Sequence, residues 1–244
     1  RCTSRGLGDV YKRQQITKGE AETIDGYHGG SGTVTVQSVS GSVTDMTNLD
    51  GDATISIAGA AIALSGDISF ANADKVDKYT TGDTTVTSVS DSIANVKKIH
   101  NLADVKMGGA AVTVSDSITN KTQLTETLTF TTGNVTVQTV SEDKTDLAAL
   151  ANAGGAYGRV KLAGADITVT DQVSKAEVDT IDAYHGGTGT TTISKFAGSV
   201  GDLSTLASSS TVNVNSSTLV IQGSSKDFTS CLLYTSDAAD DRCC

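Results

Sequence analysis

The chain has 244 residues with 25 glycines, no proline, no tryptophan, 4% aromatic residues and a formal charge of -10. That acid excess leaves no patch able to neutralise phosphates, which excludes nucleic acid as a partner, and no uninterrupted apolar stretch approaches the ~18 residues of a membrane span, so membrane insertion is not expected. An average chain of this length carries about a dozen prolines at ~5% usage; their absence points to strands that cannot give up amide donors.

In chain order, the two ends are set aside first. Residues 4–14 (SRGLGDVYKRQ) and 231–241 (CLLYTSDAADD) resemble in-frame translations of transposase-based sequencing adapters. Residues 9–14 can be written in codons whose reverse complement, shifted by one base, encodes residues 231–235. Residues 1–14 and 231–244 are therefore read as non-native flanks. Residues 15–230 are read as a single solenoid repeat domain, an internal piece of a longer reading frame. All four cysteines (Cys2, Cys231, Cys243, Cys244) lie in the flanks, so no disulfide framework or cysteine metal site is inferred. Outside the flanks 13 basic and 24 acidic residues remain, a net charge of -11, with Arg159 as the single arginine.

Self-comparison carries the most information. Residues 18–32 (KGEAETIDGYHGGSG) align without a gap on residues 175–189 (KAEVDTIDAYHGGTG), 157 residues on. Segments beginning GAAIALSG at Gly59, GAAVTVSD at Gly109 and GADITVTD at Gly164 recur at spacings of 50 and 55, and VSDSIAN at Val89 matches VSDSITN 25 residues later. The elementary unit is about 26 residues, in two alternating types. Period-two alternation at 33–36, 84–87, 112–114, 135–137, 167–170 and 190–193 predicts half-buried strands. Ser or Asp closes them, at Ser90 with Asp91, Ser115 with Asp116 and Thr170 with Asp171, and these side chains can accept from the free amides of a helix start. Residues 176–184 and 200–206 carry one apolar stripe each, read as short helices, and glycine-rich stretches at 29–32 and 186–189 stop the helix.

Strand, cap, short helix and glycine stop predict an α/β solenoid of parallel strands in which coils are stable only when stacked. The alternative is a parallel β-helix, because residues 147–171 and 53–66 each read as two consecutive strands.

Several motifs invite chemistry. His28 beside Ser31, repeated at His185, suggests a nucleophile–base pair or an oxyanion loop. The equivalent positions read Tyr79-Thr80-Thr81-Gly82 and Phe130-Thr131-Thr132-Gly133, so the repeated requirement is an aromatic and a glycine; Tyr27, Tyr79, Phe130 and Tyr184 are expected to form an aromatic ladder at the helix ends. His28 and His185, about six coils apart at ~4.8 Å per strand, are too distant to share a zinc ion. Calcium is the candidate cofactor, with Asp91, Asp116 and Asp171 as strand-end ligands, although residues 29–34 carry valine where a repeats-in-toxin turn needs aspartate. Thr33/Thr35, Thr85/Thr87, Thr168/Thr170 and Thr190/Thr192 read as a solvated sheet face.

The strand-end S/T-D-x-I/V motif, the KAEVDTID helix at Lys175 and the GADITVTD strand at Gly164 resemble the degenerate repeats of large bacterial, especially cyanobacterial, secreted and cell-surface proteins, which often also carry hemolysin-type calcium-binding modules. The resemblance implies a secreted or surface location and a structural or adhesive role without catalytic residues. Expected partners are further copies or neighbouring repeats, or a surface polysaccharide. A carbohydrate-active β-helix enzyme and a calcium-dependent folding module are the competing readings.

Overall fold

The computed structural model describes residues 14–29 and 32–222. Apart from Gln14, the adapter-like flanks lie outside the described residues, as does Ser31. The chain divides into two compact units. The first comprises the described residues up to Asp116 together with Thr122–Thr136. It contains β1 (Ile16–Thr17), α1 (Lys18–His28), β2 (Val34–Thr35), β3 (Ser38–Gly41), α2 (Val43–Asp50), β4 (Ile55–Ser56), β5 (Ala61–Ile68), α3 (Phe70–Asp77), β6 (Thr84–Asp91), α4 (Ile93–His100), β7 (Val105–Lys106), most of β8 (Ala111–Ile118) and α5 (Gln123–Phe130). The second comprises Ser117–Lys121 together with Val137 onward. It contains most of β9 (Val135–Glu142), α6 (Lys144–Ala151), β10 (Val160–Lys161), β11 (Asp166–Val173), α7 (Lys175–Asp182), β12 (Thr191–Gly198), α8 (Val200–Ala207), β13 (Val212–Asn213) and β14 (Thr218–Ile221).

Each unit is an α/β solenoid: a parallel sheet in which short helices connect successive long strands. The strands form where alternation puts one set of side chains inside. In β6, Thr84, Val86 and Val89 are buried while Thr85 and Thr87 face solvent. A Ser, Thr or Asp then starts the helix. Capping boxes close Thr17 with Glu20, Ser42 with Asp45 and Ser199 with Asp202, satisfying amides that a helix start leaves free. Each eight-residue helix is too short to persist alone and docks by an i, i+3 pair, such as Val96 with Ile99 or Leu147 with Leu150. The 147–171 stretch, read above as two consecutive strands, contains β10 and most of β11, but its first five residues belong to α6, which Asp143 caps through the Asp146 amide, so the coil is not all-β. The 53–66 stretch does contain two strands, β4 and β5, but they lie in one coil, parted by a turn in which the Ala60 N–H donates to the Ile57 carbonyl.

Lateral register explains the repeat length. In the first unit, Val39 lies beside Ile62, Ile62 beside Thr84, and Val89 beside Val112. These steps of 22 or 23 residues are shorter than the 26 that sequence spacing suggests. The difference is a slip: the sequence equivalents Ile62 and Val112 meet β6 at Thr84 and Val89, five residues apart along the strand. The second unit repeats this, with Ile167 meeting β12 at Thr191 and Leu219 meeting it at Phe196. Each coil pair therefore contains two lateral steps and one slip, which together make its 50–52-residue period.

Glycine is needed where the chain re-enters the sheet. A Cβ on Gly82 would lie 2.4 Å from the Ala60 carbonyl oxygen, and one on Gly133 2.2 Å from that of Ala110. Gly82→Ala is therefore expected to cost about 1–3 kcal/mol in urea unfolding, whereas Gly59→Ala, with no atom within 4 Å of its Cβ, changes stability far less.

Candidate functional site

The strand-end carboxylates form the most regular chemical feature, and their partners lie one coil back. Asp91 Oδ2 accepts from the Phe70 N–H at 2.8 Å, Asp116 Oδ2 from the Ile93 N–H at 2.7 Å, and Asp171 Oδ1 from the Lys144 N–H at 3.0 Å. Phe70, Ile93 and Lys144 are the first residues of α3, α4 and α6. The capping chemistry expected of these aspartates is present, but it serves the helix of the preceding coil; Ser92 and Ser174 start the helices of their own coils. A carboxylate at a helix start also gains from the macrodipole. Burial pulls the Asp91 carboxyl upward, yet the Phe70 amide, the Asn95 side chain and the Ser92 amide outweigh it and hold it below the ordinary aspartate value.

At the phase of Asp91 in the second unit stands Glu142, only 7% exposed. It accepts from the Lys121 amide, but its Oε1 has no hydrogen-bond partner, and burial, reinforced by Asp146 and Asp143, pushes its carboxyl up. Lys121 itself pairs with Asp146. Farther along, Lys144 Nζ pairs with Glu177 at 2.8 Å, and that contact together with the Ser174 amide holds Glu177 at about 2.

The histidine motif resolves differently in its two copies. His28 is exposed at the end of α1. His185 is buried in a single 3-10 turn (Ala183–His185): Nδ1 accepts from the Gly187 N–H at 3.1 Å, leaving Nε2 to donate to Asp182 Oδ1 at 2.9 Å. Thr80 and Thr131 occupy the same phase in the first unit; each hydroxyl donates to a carbonyl of the preceding coil, Ala60 or Ala110, and accepts from Gly82 or Gly133. Thr188, the counterpart of Ser31, donates weakly to the His185 carbonyl at 3.5 Å and not to the ring. The arrangement at 185–189 closes a loop and forms no nucleophile–base pair.

The expected aromatic ladder is not formed as such. The four aromatics recur every second coil; Tyr27 is exposed, and the other three each meet the intervening helix instead: Tyr79 Oη bonds Thr47 of α2, and Phe130 stacks on His100 of α4 with ring centroids 4.2 Å apart. Tyr184 lines a groove with Lys144, Thr145 and Ala148 of α6. The Thr-x-Thr residues lie on the sheet face away from the helices, with Thr168 beside Thr192. Among the described residues, no three His, Cys, Asp or Glu side chains come together to hold a metal ion, and no helix is long and apolar enough to cross a membrane.

Two equivalent polar pairs escaped sequence reading. Asp25 accepts from the Thr54 hydroxyl at 2.9 Å and Asp182 from that of Thr211 at 2.8 Å. Both pairs are separated by 29 residues and fall in the two copies of the 157-residue repeat, which is the signal that would have exposed them. No protein-family model, curated protein or solved structure matches the chain.

Two measurements test this account. Asp116→Ala should cost about 0.5–2 kcal/mol in urea unfolding, with Asp116→Asn recovering most of it because an amide oxygen still accepts. Glu142 and Glu177 should move stability in opposite directions with pH. The lowered Glu177 lends stability above its unfolded value near 4.5 that fades as pH falls toward 2. The raised Glu142 penalises folding once pH exceeds its unfolded value, so Glu142→Gln should raise the urea midpoint at neutral pH and leave it nearly unchanged near pH 3.

Proposed function

We propose that the chain is a non-enzymatic structural or adhesive repeat segment of a large extracellular or cell-surface protein, built to stack coil on coil and to associate end to end. The observation that supports this most is the use made of the repeated polar residues. Asp91, Asp116 and Asp171 each tie one coil to the helix start of the coil before it, and Thr80 and Thr131 tie loops to the preceding strand. Side chains spent on coil-to-coil bonds stabilise an array; a catalytic centre instead needs acids and bases converging on one point. The composition and the resemblance to bacterial surface repeats support an extracellular setting, where a polysaccharide is the partner expected of an adhesive segment.

The full chain, incubated with bacterial surface polysaccharides, should release no reducing ends, and its thermal midpoint by circular dichroism should be the same with millimolar calcium as with a chelator. Released sugar would sink the non-enzymatic reading; a midpoint that rises with calcium would replace it with a calcium-dependent folding module.

A further inference from the structure

The internal repeat sets the same three positions side by side where one coil meets the next: a residue at the start of one helix connection, the last residue of the following long strand, and the third residue of the helix after it. They read Lys18, Gly41 and Asp45; Phe70, Asp91 and Asn95; Lys121, Glu142 and Asp146; and Lys175, Gly198 and Asp202. In the first and last sets each charged group is occupied separately. Lys18 pairs with Glu22 and Lys175 with Asp179, within their own helices. Asp45 Oδ2 accepts from the Ser42 hydroxyl at 2.7 Å and Asp202 Oδ2 from the Ser199 hydroxyl at 2.8 Å.

The third set is connected differently. Asp143 stands where Ser42 and Ser199 stand, an acceptor in place of a hydroxyl donor, and the Asp146 carboxylate is met instead by Lys121 Nζ from the preceding coil. Glu142 stands where the glycines stand. A Cβ on Gly41 would lie 2.9 Å from Asp45 Oδ2, and one on Gly198 3.4 Å from Asp202 Oδ2, so at this phase the Glu142 side chain leaves the backbone beside the Asp146 carboxylate. Glu142 accepts from the Lys121 N–H, its Oε1 is buried without a hydrogen-bond partner, and of the charges around it Asp146 acts on it most strongly. The Lys121 and Asp146 side chains are 29% and 25% exposed, against 51% each in the inter-coil pair Lys97–Glu126 and 38% and 40% in Lys144–Glu177.

We infer that Lys121 Nζ condenses with Asp146 Cγ into an intramolecular amide that staples two successive coils, with the Glu142 carboxyl carrying protons between them. The bond forms once per chain and depends on neither a surface location nor an adhesive role. A proton first crosses from the Lys121 ammonium to the Asp146 carboxylate, leaving an amine and a carboxylic acid. The amine lone pair attacks Cγ, the Nζ–Cγ bond forms, and a second Nζ proton is lost as one Cγ–O bond breaks. Two of the three ammonium protons and one Asp146 oxygen leave together as water, and nothing is oxidised or reduced. Glu142, whose burial favours its neutral form, gives a proton to the departing oxygen and takes one from Nζ, ending as it began. Groups held in contact and well oriented react as though at ~10⁵ M or more. Contact with Asp146 also strengthens the hold of Lys121 on its proton, so the amide accumulates over days, and freshly refolded chain enters urea unfolding with the ion pair intact.

The test takes the full chain, refolded, kept reduced and incubated at neutral pH for days before intact-mass analysis. The expected result is the loss of one water mass and a branched tryptic product in which residues 107–144, uncleaved after Lys121, are joined through Asp146 to residues 145–159. Asp146→Asn should lose ammonia in place of water. Lys121→Arg, which keeps a cation beside Asp146, should lose neither. Glu142→Gln still accepts from the Lys121 amide but passes no proton, and should slow the bond by roughly a hundredfold with an unchanged circular dichroism spectrum. A chain that keeps its full mass and is cleaved completely after Lys121 overturns the inference, as does Glu142→Gln linking at the parent rate. Linkage of Lys144 to Glu177 to the same extent would overturn it too, because contact alone would then suffice.

Discussion

Three helix starts in this fold, those of α3, α4 and α6, are completed by a carboxylate that belongs to the next coil. The first helical amide has no partner inside its own helix, and in α3, α4 and α6 the bond comes from Asp91, Asp116 and Asp171, 21 to 27 residues downstream. The loops obey the same rule: the Thr81 N–H donates to the Ala58 carbonyl and the Thr132 N–H to that of Gly108, both reaching one coil back. A single coil therefore has unsatisfied groups on both sides as well as an uncovered apolar stripe, and most of the free energy of folding resides in the interfaces between coils.

The same constraint explains why the repeats are so degenerate. What a position must supply is a bond or a contact with its neighbour, and different side chains can do so. A threonine hydroxyl at Thr80 and Thr131 and an imidazole at His185 each accept from a glycine amide two residues on. At the helix end facing the sheet, Asp25 and Asp182 accept from a threonine of the following coil, Asp77 accepts from the Asp104 amide, and the equivalent Leu128 is simply buried. The strand position opposite follows suit: Thr84 and Thr191 accompany the aspartates at 77 and 182, while Val135 accompanies Leu128. The substitutions are not free of cost: Glu142 leaves its Oε1, and Asp25 and Asp77 each leave their Oδ1, buried without a hydrogen-bond partner.

Much of the architecture was legible because it is local. Alternation marked the strands, Ser and Asp marked the helix starts, and a two-type repeat emerged from self-comparison; the mixed solenoid follows from these. The destination of the strand-end aspartates was not legible, since a free amide one residue away and one a whole coil away demand the same acceptor. Aromatic spacing failed for a related reason: residues recurring every second coil do not touch, and Tyr79 and Phe130 meet Thr47 and His100 of the intervening helices, which the Tyr/Phe spacing does not mark. The burial of Glu142 was hidden as well, because at that phase the chain otherwise carries Asp91 or the glycines Gly41 and Gly198, and nothing in a glutamate announces an unsatisfied oxygen.

The five-residue slip determines what can vary in length. Between Val140 and Ile167 the lateral step is 27 residues instead of 22 or 23, and the surplus falls at the glycine-rich turns around Asn152, Gly155 and Gly158, which bond among themselves. The next strand still meets its neighbours at Thr191 and Phe196, five residues apart. Additional residues in the helix-to-strand connection are thus absorbed outside the sheet, where closing a slightly longer loop costs little. A residue added within a strand would turn the buried set of side chains toward solvent. Because the slip accumulates over two coils and not one, the coil pair is the smallest unit that can be repeated without breaking register, which is why the sequence repeats faithfully at about 52 residues and only loosely at half that length.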